Sequence, residues 1–208
     1  MSVSHSPAPN TTLAAHLAAL IGARICHDLI SPVGAIGNGL ELLQMAAGAD
    51  GPEMGLIADS VAAARSRILF FRIAYGVALP DQMLGGAEIT GLLREIDRGG
   101  RVRIAWEVAD DLPRPEARLA FLALQCCEAA LPWGGTVHFA RAGAAWRITA
   151  TAARLRVDPG LWGNLSLEQP DTRVAPSEVQ FALLPVLLAE MGRHLNARIS
   201  DTDIVLQF

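Results

Sequence analysis

Leu13, Leu17, Ile21, Ile25, Leu29, Pro32 or Val33, Ile36, Leu40 and Leu43 recur three or four residues apart, the spacing of one apolar stripe along an α-helix. The stripe predicts a first helix from Thr12 to Met45. Ile57, Val61, Ala64, Ile68, Phe71 and Tyr75 repeat the spacing and predict a second helix from Glu53 to Val77. AAGADGP between them reads as a turn and LPDQMLGG after them as a stop. Two helices cannot enclose a core by themselves. Pairing with a second copy would complete a four-helix bundle, so a homodimer is expected; the alternative is that the stripe packs against the chain's own C-terminal part.

Beyond Gly86 the period changes. In RVRIAWEV, Val102, Ile104, Trp106 and Val108 alternate onto one face, as in a half-buried strand. A helix is predicted over 116–131, then strands at TVHFA and AWRITATA, a helix from Ser177 to Arg193, and short strands at ARIS and DIVLQF. The expected organisation is a flexible tail over 1–11, a helical hairpin over 12–80, and a second domain over 86–208 with a mostly antiparallel sheet and helices on one face.

At 208 residues, 51% of them hydrophobic and 18% charged, the chain is long enough for one large or two small cores. It has no run of 18 apolar residues and no basic start with an apolar signal core, so a cytoplasmic protein without a membrane segment is expected. Cys26, Cys126 and Cys127 lack metal-ligand spacing and support neither a disulfide framework nor a zinc site. All 17 basic residues are arginine, which excludes a P-loop lysine or a Schiff base from this chain. A formal charge of -4 gives no global field for nucleic acid, and no nucleic-acid partner is expected. Arg24, Arg65, Arg67 and Arg72 still gather in the helical half as a local basic supply for an acidic partner.

At about 100° per residue, His27 faces away from the stripe that holds Ile25 and Leu29. Arg24, His27, Ser31, Gly34 or Ala35, and Asn38 share that other face, which is polar and becomes small after the histidine. A lone histidine is ordinarily a surface or capping residue. Here it sits beside Asp28 and the hydroxyl of Ser31, and four residues after Asp28 comes Pro32, which a helix interior rejects at a cost of about 3 kcal/mol. A neutral imidazole offers a nucleophilic nitrogen. Asp28 would fix its tautomer by accepting the N–H of the other ring nitrogen, or it is an ordinary solvated helix carboxylate.

His27-Asp28-Leu29-Ile30-Ser31-Pro32 resembles the phosphoacceptor box of two-component histidine kinases, a His followed by Glu or Asp and by Pro five positions on. The strings RICHDLISPVGAIGNGLELL and RILFFRIAYG, placed on the two helices, resemble the ChpT family of alphaproteobacterial histidine phosphotransferases. The resemblance implies a dimeric relay that takes a phosphoryl group from the receiver domain of a hybrid histidine kinase and passes it to the receiver domains of response regulators. His27 would be phosphorylated, with Asp28, Ser31 and Arg24 beside it and Pro32 completing the motif. Asn38, Arg65 and Arg72 would belong to the partner-binding surface. Mg2+ and the acceptor aspartate would be the receiver's.

The second domain resembles a degenerate kinase ATP-binding domain, an α/β sandwich without nucleotide binding. CCEAALPWGGTVHF has the outline of the kinase helix that ends in a Pro-x-Gly-Gly turn, yet Cys126 stands where the magnesium-coordinating Asn is expected and Ala129 where a basic residue is. ITATAARLR lacks the Asp-x-Gly-x-Gly turn that should follow; Asp158-Pro159-Gly160 repeats only its first half, and no Gly-rich lid precedes Ser177. No ATP and no metal of its own are therefore expected. Two competing readings are an autophosphorylating kinase with a divergent nucleotide site and a dimeric scaffold that binds receivers without chemistry.

Overall fold

A computed structural model of the chain describes residues 9–45, 52–167 and 169–208. Two helices come first, α1 (Pro9–Met45) and α2 (Pro52–Ala74), packed along each other as a hairpin. Proline opens both, where its fixed φ suits a first turn and its missing N–H is not needed. Thus α1 starts three residues before the expected Thr12. It runs unbroken through Pro32. Residues 46–51 of the expected turn, and 1–8 of the expected tail, lie outside the described residues. Helix α1 is, among the described residues, the one helix long and apolar enough by length and composition to cross a membrane, over Ala14–Leu43 with a mean hydropathy of 1.3. That average is high although Arg24 and Asp28 interrupt any uniform apolar run.

The α/β part follows: β1 (Met83–Leu84), α3 (Gly86–Gly99), β2 (Val102–Trp106), β3 (Leu112–Pro113), α4 (Arg114–Ala130), β4 (Gly135–Ala142), β5 (Ala145–Thr151), α5 (Pro159–Gly163), α6 (Val179–Glu190), β6 (Asn196–Ile199) and β7 (Asp203–Gln207). The main sheet has the order β2-β4-β5-β7-β6. Only β2 and β4 run parallel, across the α4 crossover. Val137 and Phe139, Trp146, Ile148 and Ala150, and Ile204 and Leu206 point to one face and are buried there with α4 and α6. The predicted strands and helices are present with shifts of a few residues at their ends. Helix α3 was not among them; it buries Ile89, Leu92 and Leu93.

The hairpin and the sheet share a core. Phe70, Phe71, Ile73 and Ala74 of α2 are buried in the same cluster as α4, and the Phe70 and Phe121 rings lie 4.8 Å apart. Leu17 and Leu20 of α1 bury against Val179 and Ala182 of α6. Ile21, Ile25 and Leu29 pack on the main core, so this part of the stripe is satisfied within the chain, as the alternative reading supposed. Other apolar residues stay outside: Ile30, Val33 and Leu40 on α1, and Met54, Val61 and Ile68 on α2, are all exposed. The junction between α4 and β4 passes close to β2. Gly134 takes φ +94, and a Cβ there would lie 2.7 Å from the Arg101 carbonyl oxygen, so only glycine fits this turn.

Candidate functional site

On α1, Arg24 and Asp28 are one turn apart and His27 lies between them in sequence. The Asp28 carboxylate takes both neighbours at once: Arg24 Nε donates to Oδ2 at 2.8 Å and His27 Nδ1 lies 3.0 Å from Oδ1. A carboxylate can only accept, so this contact puts the proton on Nδ1 and leaves the lone pair on Nε2. The two side chains differ in exposure. His27 is 80% exposed while Asp28 is 15% exposed, so the fixed carboxylate sits in the wall and the imidazole projects from it. Arg24 is tied down a second time, by the Ser177 carbonyl oxygen. It therefore stands one turn before His27, as its spacing requires, with its guanidinium engaged by Asp28 and Ser177.

His27, Asp28, Ser31 and Arg24 line a cleft of about 550 Å³. Its far side is built by Arg67 of α2, by Gly100, Arg101 and Val102 at the entry to β2, and by Glu128, Leu131 and Pro132 at the end of α4. Arg101 donates to the Pro132 carbonyl at 3.2 Å, which joins the two strand entries around the Gly134 turn. Burial pushes the Glu128 carboxyl up from its ordinary range, while Arg67 and Arg24 pull it partly back. The same cleft holds three arginines, Arg24, Arg67 and Arg101.

The expected partner-binding residues are divided by the fold. Arg65 and Arg72 line a groove between α2 and α3, away from the cleft that holds Arg67. Asn38 is exposed on α1, about 16 Å along the helix from His27 at 1.5 Å per residue. Pro32 is half-buried inside α1. Arg67, Arg101 and Glu128 were not named as site residues by sequence reasoning. Glu128 carried a signal, as a charge inside the otherwise apolar run LAFLALQCCEAAL; Arg101 carried none, because only the β2–β4 pairing brings it here.

Where a nucleotide turn was missing from the sequence, Asp158 caps α5, with Oδ1 accepting from the Leu161 N–H at 3.0 Å. Cys126 and Cys127 are fully buried, and burial pushes both thiols up. Among the described residues no group of three His, Cys, Asp or Glu side chains is arranged to hold a metal ion.

The family model described as histidine phosphotransferase C-terminal domain matches residues 86–203. The protein phosphotransferase ChpT of Brucella abortus (strain 2308) is 34% identical over 203 residues, which is 95% of this chain and 97% of that one. A solved structure of a bacterial phosphotransferase, determined at 1.7 Å, shares 31% identity and superposes with a TM-score of 0.76 over 99% of each chain.

Proposed function

The chain belongs to the histidine phosphotransferase family, with phosphotransfer between histidine and aspartate in a phosphorelay as its activity, and we propose that Nε2 of His27 is the atom that carries the phosphoryl group. The observation that carries this reading is the single carboxylate of Asp28 shared between Arg24 and His27 Nδ1. The Nε2 lone pair attacks the phosphorus of a receiver's aspartyl phosphate. The P–N bond forms as the P–O bond to the receiver aspartate breaks, and that electron pair returns to the receiver carboxylate. The ring keeps its Nδ1 proton and gains positive charge, which the fixed Asp28 carboxylate offsets without moving. Transfer onward to the aspartate of a response regulator is the same step reversed.

The partners and the division of labour along the chain follow from this step. The donor is the receiver domain of a hybrid histidine kinase and the acceptors are receiver domains of response regulators, whose carboxylate-rich sites meet a cleft to which Arg67 of α2 and Arg101 before β2 add positive charge beside His27. The receiver contributes Mg2+ to neutralise the phosphoryl oxygens. Residues 12–80 act as the phosphotransfer and dimerisation hairpin, and 86–208 as the degenerate ATPase-like domain that buttresses it. The exposed apolar face of α1 and α2 is covered by a second copy, in a cytoplasmic homodimer.

The decisive experiment mixes the chain with the phosphorylated receiver domain of a hybrid kinase and assays acid-labile, base-stable phosphate on the chain. His27→Ala should abolish the label and leave the helical content unchanged. Label of normal amount on that variant, recovered on His16, His138 or His194, would defeat the assignment.

A further inference from the structure

The stretch from Asp171 to Ser177, which leads into α6, has no helix or strand of its own before a short turn over Pro176–Glu178, yet it is pinned along α1. His16 Nε2 donates to the Thr172 carbonyl oxygen at 2.9 Å. Val174 packs on the cluster that Leu17 and Leu20 form with α6, and the Ser177 carbonyl oxygen accepts from Arg24. His16, Leu17, Leu20 and Arg24 share one face of α1 by their spacing, so the stretch lies along that face as a brace.

One buried side chain holds both ends of the brace. Asn164 is 4% exposed; its Nδ2 donates to the Asp171 carbonyl at 2.9 Å and to the Phe181 carbonyl at 3.3 Å, and its Oδ1 accepts from the Asp171 N–H at 2.7 Å. Asp171 starts the stretch and Phe181 lies in the first turn of α6, so this amide closes the loop between them. Within the loop, the Glu178 N–H donates to the Ala175 carbonyl at 2.8 Å and Glu178 Oε2 accepts from the Ala175 N–H at 3.2 Å. These bonds hold the turn from which the Ser177 carbonyl reaches Arg24.

The consequence falls on Arg24. An ion pair between residues four apart on a helix surface is weak by itself, and a long side chain leaves it readily. The Ser177 oxygen supplies a second acceptor from outside the helix. Held between the two and 15% exposed, Arg24 fixes the Asp28 carboxylate, whose other oxygen meets His27 Nδ1. We propose that Asn164 is a positioning residue for phosphotransfer, which acts through the brace and Arg24 to keep the Nδ1 proton of His27 on Asp28 and the Nε2 lone pair free. Asn164 is not among the residues that line the His27 cleft. A reaction on α1 then depends on the α/β part, which supplies the brace. The effect on the rate rests on the role assigned to His27, whereas the effect on the ring does not.

The test reads the ring and the reaction separately on the full chain. Nitrogen-15 NMR of the His27 imidazole, identified by its loss in His27→Ala and recorded at about pH 8, above the ordinary histidine range, should show mainly the Nδ1–H tautomer in the parent. The signal should move toward Nε2–H in Asn164→Ala and in Val174→Ser, a second variant that loosens the brace at its surface without opening a buried amide network. Both are first checked to keep the helical content of the parent and to melt within a few degrees of it. Single-turnover transfer from a phosphorylated receiver at saturating concentration should fall by roughly three- to tenfold in each, with the half-saturating receiver concentration unchanged. In an Arg24→Ala background the same substitutions should alter the rate by less than about twofold, because the side chain through which they act is gone. A parental tautomer in both variants, or an equal loss of rate with and without Arg24, overturns the proposal. So does a raised half-saturating concentration at an unchanged maximal rate, which would make the stretch a docking surface. A shifted tautomer with wholly unchanged transfer upholds the brace and overturns the role assigned to His27.

Discussion

Asp28 serves two donors with one carboxylate, and the geometry makes its amide a sharp probe. Arg24 Nε can only donate, so Asn at position 28 would have to turn its oxygen toward Arg24 and its NH2 toward His27. That NH2 would force Nδ1 to accept and move the ring proton onto Nε2, where the attack is proposed. Asp28→Asn is expected to slow transfer by roughly 10²- to 10⁴-fold, and Asp28→Ala, which leaves the tautomer free, should be the faster of the two in single-turnover transfer. Glu128 makes a second test at this scale. Its carboxyl is raised by burial, so its contribution to stability is complete below the unfolded value of about 4.3 and is lost as the pH rises through the higher folded value. Glu128→Gln removes that loss. The urea midpoint of the variant should gain on the parent between pH 4 and neutrality, and equal midpoints across that range would mean that Arg67 and Arg24 offset the burial fully.

At the scale of elements, α4 is held at its first turn by a buried charge. Glu116 accepts from Trp146 Nε1 at 2.6 Å and from Arg193 Nη1 at 2.7 Å, which ties α4 to β5 and to the segment before β6. Glu116→Ala leaves the Trp146 indole N–H without a partner and the Arg193 guanidinium with only the Ala144 carbonyl and no carboxylate. It should cost about 3–5 kcal/mol in chemical denaturation, more than Glu116→Gln, whose amide oxygen can keep one of the two bonds. Elements with a local signature were readable in the sequence. Both long helices follow their stripes, and β2 follows the alternation of Val102, Ile104 and Trp106. Helix α3 carries the pattern too, Ile89, Leu92, Leu93 and Ile96 at helical spacing, but it is short and hidden between the LPDQMLGG stop and the β2 alternation. The pair β1 and β3 has no such trace, since each is two residues long and exists only through pairing across about thirty intervening residues, Met83 with Pro113. The same division applies to the cleft: His27 and Asp28 are neighbours in the chain and were legible, whereas Arg101 and Glu128 reach it only after the sheet has formed.

The whole molecule leaves a set of apolar side chains uncovered in a regular order. Cys26, Ile30, Val33, Gly37 and Leu40 are exposed at alternating spacings of four and three along α1, and Met54, Val61 and Ile68 recur every seven residues on α2. That is the seam of a helical bundle. Ile30 is 70% exposed and Val33 58%, so a partner has most of each side chain still to cover. Full burial of such side chains is worth about 1.5–3 kcal/mol each; with the six large ones in each of two copies, half of that gain is about 9–18 kcal/mol, on the scale of an association cost of about 4–15 kcal/mol. Sedimentation at micromolar concentration should therefore give about twice the 22.1 kDa chain mass. Leu40→Glu combined with Val61→Glu places charges in the seam without touching the His27 cleft, Leu40 being about 20 Å along α1 from His27 at 1.5 Å per residue. The double variant should sediment as a monomer with its α/β part still folded, since the shared core of α2 and α4 is complete within one chain. A dimer that persisted in the double variant would place the interface on another face, and the exposed seam would then need a different partner.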